Sequence, residues 1–152
     1  MTFSDLPPGW AERPITDPDL FEDVVDLIAT EQSRESGCLY VLICDDAGRM
    51  VQPVALDTFP FDDSRPRQDE HVATLCGILR HAGVRRIAVV IARPGHPAPT
   101  GNDRQLRAAL QAGARRRGIE IVAGAVATSL GVAAWPEHGS VVPIAPSVPW
   151  SA

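Results

Sequence analysis

A chain of 152 residues, 45% hydrophobic and 22% charged, is long enough for one domain with a single core that needs no cross-links. Its net charge of -5 and pI near 5.3 speak against the basic surface with which a duplex-DNA binder neutralises phosphates, so no nucleic-acid partner is expected. Cys38, Cys44 and Cys76 form no CxxC pair and are odd in number, which points to reduced thiols in a cytoplasmic protein rather than a disulfide framework.

Residues 1–17 carry prolines and isolated apolar residues such as Trp10, and read as an N-terminal arm lying on the domain. Met1 to Pro8 lacks the basic start and apolar run of a signal peptide, and no later stretch is long and apolar enough to span a membrane. Asp17 and Pro18 supply a helix N-cap and a proline at the first helical position. Leu20, Phe21, Val24, Val25, Leu27 and Ile28 follow at helical spacing, which predicts an amphipathic helix over 18–31, broken by Ser33 to Gly37. Leu39 to Cys44 is apolar throughout and reads as a central strand, on which Cys38 and Cys44 share a parity that faces the core. Asp45-Asp46-Ala47-Gly48 is a hairpin turn, and Arg49 to Leu56 returns as the partner strand.

The aspartates, prolines and arginines of 57–68 predict a polar loop. A helix of about 15 residues then opens near His71, runs through Val72, Leu75, Cys76, Ile78 and Leu79, and closes at Gly83, with His81 near its end. Ile87 to Ala92 is a buried strand that empties into the proline-rich loop Arg93 to Thr100. The next helix runs from Asn102 to Arg117, turns Leu106, Ala109, Leu110 and Gly113 inward, and stops at Gly118. Ile119 to Ala127 is a strand, Leu130 to Trp135 a short partner, and the chain from Pro136 is again proline-rich. This order predicts an α/β fold: a three-layer α-β-α sandwich with a mixed sheet, an antiparallel hairpin at one side and helices on its faces.

Several features have plain structural readings. The clusters Arg85-Arg86 and Arg115-Arg116-Arg117 sit at element ends, where cations suit a helix C-terminus or a solvated loop. Thr100 and Asp103 carry the spacing of a threonine cap with an acid in the first turn. His138 belongs to a polar turn; Ser129 and Ser140 lack a nucleophile-elbow context, and Gly95 to Gly101 is not a Walker A loop. Glycines ahead of a helix still suit an anion held by backbone amides, which makes Arg93, Gly95, His96, Thr100 and Asp103 the candidate ligand or anion pocket.

The stretch Arg93-Pro-Gly-His-Pro-Ala-Pro-Thr100, with Asp103 after it, resembles the RadC-like branch of the JAB/MPN domains, whose fold is cytidine-deaminase-like. Gly95, Pro97, Pro99, Thr100 and Asp103 fall on the family's Gly, Pro, Pro, Ser and Asp positions, and Ala112 to Ile121 matches its helix end and next strand. The resemblance covers residues 18–140, which it delimits as the domain, with 141–152 as a proline-rich tail. In the family two histidines and the aspartate bind zinc, and an upstream glutamate, here Glu35 or Glu70, serves as acid/base. The histidine positions fall on Val90 and Ala92, or one residue later on Ile91 and Arg93, and the later Asp-His pair on Ala123 and Gly124. Catalytic zinc needs three protein ligands and an open position, so the resemblance implies a scaffold without catalytic residues, metal or cofactor. Metal-free members of this fold act as assembly partners, which implies a non-catalytic module binding a protein partner or small ligand. The proline-rich ends and hairpin edge are also compatible with a homodimer. The alternative is a divergent hydrolase, either with a metal site rebuilt from His71, His96 and Asp103 or metal-independent through Asp103, His96 and Arg93. A third arrangement pairs Arg93 with Asp103.

Overall fold

The computed structural model describes residues 6–57, 59 and 64–135. The strands β1 (Cys38–Cys44), β2 (Met50–Leu56), β3 (Arg86–Ala92), β4 (Glu120–Thr128) and β5 (Gly131–Ala134) form one sheet in the order β2-β1-β3-β4-β5. β3 and β4 are parallel, while every other neighbouring pair is antiparallel, so the sheet is mixed. The helices are α1 (Pro18–Ile28), α2 (Glu31–Ser36), α3 (Arg65–His81) and α4 (Gly101–Arg116). Among the described residues no helix is long and apolar enough to cross a membrane.

Alternation along the strands divides the core in two. Cys38, Tyr40, Leu42 and Cys44 of β1, with Ala88, Val90 and Ala92 of β3, pack with Leu20, Phe21, Val24 and Val25 of α1. Leu39 and Val41, with Ile87, Val89 and Ile91, pack on the other side with Val72, Cys76 and Leu79 of α3 and Leu106 and Leu110 of α4. The molecule is thus mixed α/β, with helices on both sheet faces, an arrangement compatible with an α-β-α sandwich. Cys38 and Cys44 share a face as their parity requires; Cys76 lies in the other layer. The first described residues also belong to the core: Leu6 and Ile15 are buried, and Trp10 packs against the α1 cluster.

The hairpin turn forms where aspartate and glycine predict it. Gly48 N–H donates to the Asp45 carbonyl at 2.9 Å, and the Asp45 carboxylate accepts from Ala47 and Arg49 N–H. Gly48 holds a φ of 80°, which costs a glycine little. Pro53 lacks an N–H but sits on the edge strand β2, where that loss is tolerated.

Three helix boundaries differ from expectation. α1 ends at Ile28, because Ala29 swings to an extended ψ of 99°. The supposed break at Ser33 to Gly37 is largely helical: Thr30 accepts the Ser33 N–H at 3.1 Å and starts α2, which stops at Gly37. The polar loop also ends early, since α3 begins at Arg65 with Pro66 in its first turn. His71 therefore lies inside α3 rather than at its start, and its ring meets that of Phe59 at 6.4 Å. Residues 136–152, including His138, Ser140 and the expected domain end at 140, lie outside the described residues.

α3 and α4 lie side by side and parallel. Gln105 donates to Gln68 at 3.3 Å near their starts, and Gly113 faces Val72 and Cys76 further along. Near their ends the Arg117 guanidinium lies over Gly77.

Candidate functional site

The end of β3, the loop 93–100 and the first turn of α4 form one hydrogen-bonded unit. Thr100 is extended at the N-cap, and its hydroxyl accepts the Asp103 N–H at 3.1 Å. The Asp103 carboxylate reaches back to accept the Thr100 N–H at 3.0 Å, which completes a reciprocal capping box. Arg93 N–H donates to the Ala127 carbonyl at 3.1 Å and fixes the start of the loop to β4.

The Arg93 guanidinium organises everything between these points. Its Nε donates to Asp103 Oδ1 at 2.9 Å, and one Nη to Oδ2 at 2.6 Å, a bidentate pair. That same Nη also donates to the Ala98 carbonyl, while the other donates to the carbonyls of Pro94 and His96. A guanidinium has five N–H donors, and all five are engaged within the loop and α4. Gly95, at φ 96°, lets the chain curl round the planar group. The His96 ring is held in the same loop, with Nδ1 accepting the Ala98 N–H at 3.2 Å. All five residues singled out from sequence are thus gathered into one cluster whose polar groups are matched to each other.

The Asp103 carboxyl experiences opposing influences. Burial pushes its pKa up, but hydrogen bonds from Arg93 and Thr100 and the guanidinium's charge hold it below the usual carboxylate range. The side chain is 5% exposed and its Arg93 partner 17%, so the pair is shielded from solvent. Beside it lies a cleft of about 450 Å³, walled by Ile91, Asn102, Asp103 and Leu106 on one side and by Ser36 and Gly37 on the other. The sequence gives no sign of that second wall, since 56 residues of chain lie between Ser36 and Arg93. Of the two proposed upstream acids, Glu35 adjoins this wall in the chain, whereas Glu70 lies on α3.

The two registers for the family's histidine positions now separate. Val90 and Ala92 face the α1 layer, away from Asp103, while Ile91 and Arg93 line the cleft beside it. A hydrocarbon and a guanidinium are not metal donors, and the guanidinium's charge opposes a cation on the same carboxylate. This donor set does not fit zinc. Among the described residues no three His, Cys, Asp or Glu side chains are grouped to hold a metal, so His71, His96 and Asp103 do not assemble into one site. The last pair of family positions is occupied differently: a Cβ on Gly124 would lie 2.0 Å from the Trp135 ring, which covers it.

Two arrangements escaped the reading of the sequence. Arg34, only 6% exposed, donates to the carbonyls of Ala29, Thr128 and Asp26 and to the Asp26 carboxylate, tying the end of α1 to the end of β4. Trp135, with the Arg107 guanidinium 4.9 Å from its ring centre, helps line a groove of about 340 Å³ with Phe21, Gln111 and Val122. A glycine inside an apolar strand, Gly124, was the available signal for this close approach. Comparison of the chain with family models and with curated proteins finds no match in either.

Proposed function

We propose that the chain is a degenerate RadC-like JAB/MPN-fold protein, cytidine-deaminase-like in architecture, that acts in the cytoplasm as a non-catalytic module binding a protein partner or small ligand. The single observation that carries this reading is the closed Arg93–Asp103 cluster. The aspartate that would serve as a zinc ligand in the family is bound by a bidentate guanidinium at 2.6 and 2.9 Å and caps its own helix. The same contacts weigh against Asp103, His96 and Arg93 as hydrolytic groups. A carboxyl held below its ordinary pKa is a weak proton acceptor near neutrality, and His96 Nδ1 already accepts a loop amide. The cleft beside the cluster remains as the recognition surface, with an apolar floor at Ile91 and Leu106 and polar rims at Ser36 and Asn102.

Metal analysis of the purified chain and an Asp103→Ala variant, both equilibrated with zinc and then dialysed, tests this reading. The expected result is zinc far below one ion per chain in both. One zinc per chain, lost in the variant, would overturn the proposal and favour a rebuilt hydrolase site.

A further inference from the structure

The two helical layers carry opposite charge. From Thr16 to Ser36 the chain has seven carboxylates, Asp17, Asp19, Glu22, Asp23, Asp26, Glu31 and Glu35, and one cation, Arg34, which is buried. Asp19, Glu22, Asp23 and Asp26 stand at i, i+3, i+4 and i+7, so they form the outer stripe of α1, opposite its apolar face. The arm adds Arg13, which is paired with Asp17.

From His71 to Ile119 the balance is reversed. This stretch holds nine arginines and one acid, Asp103, which is buried against Arg93. Arg104 and Arg115 lie on the exposed side of α4, and Arg116 follows them at its end. Because α3 and α4 run parallel, Arg80, Arg85 and Arg117 join that end too. Two helix C-termini bring partial negative charge of about half a unit each, which accounts for roughly one of these cations. Among the described residues, Glu120 meets Arg86 at 3.7 Å beside this end, while Asp69 and Glu70, in the first turns of α3, lie at the other end, where Arg104 stands.

We propose that the basic outer face of α4 is a docking surface for the acidic α1 face of a second copy of this chain. Charge complementarity identifies the occupant: the α1 stripe is a helical row of carboxylates without an exposed cation, and α4 exposes Arg104 in its first turn and Arg115 and Arg116 in its last, with no exposed carboxylate of its own. The sheet separates the two faces, so each copy offers both on opposite sides. The contact is therefore head-to-tail, which builds open stacks or closed rings rather than an isologous dimer. Arginine suits such a surface because its planar fork pairs carboxylates bidentately. This inference does not depend on the loss of a metal site.

Sedimentation velocity on the full chain tests it with a charge swap. At about 0.01 M salt, where screening extends to about 30 Å, the wild type exceeds its one-chain mass of 16.3 kDa; at about 1 M, where it shortens to about 3 Å, that mass is restored. A variant carrying Arg104→Glu, Arg115→Glu and Arg116→Glu stays monomeric in low salt, as does one carrying Asp19→Arg, Glu22→Arg and Asp23→Arg. Mixed in equal amounts, the two associate, because the first retains the native acidic face and the second the native basic one. Glutamine versions of both variants, matched to the wild type in circular dichroism, control for folding. A wild type monomeric in low salt, reversed variants that still self-associate, or a mixture that does not associate would each overturn the proposal. So would a basic face that binds an oligonucleotide while the chain stays monomeric.

Discussion

Arg93 is a structural hub built from one side chain. It neutralises a buried carboxylate and donates hydrogen bonds to three loop carbonyls, those of Pro94, His96 and Ala98. Removing one member of a shielded pair leaves the other charge uncompensated, at a cost of about 3–5 kcal/mol. Arg93→Met should therefore lower the urea midpoint far more than a surface substitution, while Arg104→Met serves as the exposed comparison. The pH dependence follows from Asp103, whose pKa is lowered in the folded chain. A group depressed in this way stabilises the fold above its unfolded pKa, about 3.9, and loses that contribution as pH falls through the lower folded value. Wild type should exceed Asp103→Asn in stability at pH 7, and acidification below about pH 4 should narrow the gap. A gap that stays constant from pH 7 to pH 2 would show that the carboxylate is not linked to folding. The capping box could be read from sequence because its two partners, Thr100 and Asp103, lie only three positions apart. The ring of carbonyls could not, because it depends on the path of the whole loop.

α3 and α4 show how packing overrides local preference. Gly113 lies within α4, where alanine would favour the helix by up to about 1 kcal/mol. A Cβ there would meet Val72 Cγ1 at 2.6 Å, and overpacking of that kind costs about 1–3 kcal/mol. Gly113→Ala should thus be destabilising by denaturant unfolding, and Val72→Ala combined with it should cost less than the sum of the two. Additive losses would mean that the helices do not meet at this pair. The inward face of α4 was legible from its period. The start of α3 was not, because Arg65-Pro66-Arg67 reads as loop although proline in a first turn and arginine both suit a helix. α2 was missed for a similar reason: six residues with no apolar stripe, held by the Thr30 cap and anchored through buried Arg34.

The two core layers share one sheet, and the three thiols report on both. Cys38 and Cys44 lie in the α1 layer and Cys76 in the α3/α4 layer, all buried as free thiols. Burial pushes all three pKa values up, that of Cys44 to about 11. Native protein should react very slowly with a disulfide reagent, and all three thiols should become reactive together across the urea transition. Early labelling of Cys76 alone, located by mass spectrometry of the labelled peptides, would show that the α3/α4 layer opens separately. The charge division between the layers belongs to the same scale. A net charge of -5 gives no hint of it, because the total averages over faces that point in opposite directions.

Relations between near neighbours in the chain were settled by the residues alone. Strand alternation, helical period, the Asp45 turn and the Thr100–Asp103 cap each depend on atoms only a few positions apart, and backbone geometry fixes those spacings. Folding was needed to bring Ser36 and Gly37 to the cleft, to wrap three carbonyls round Arg93, to slide Trp135 over Gly124 and to sort the charges onto separate faces. These depend on how distant segments meet, and contacts of that kind are selected by the packing of two layers against one sheet rather than by any local pattern.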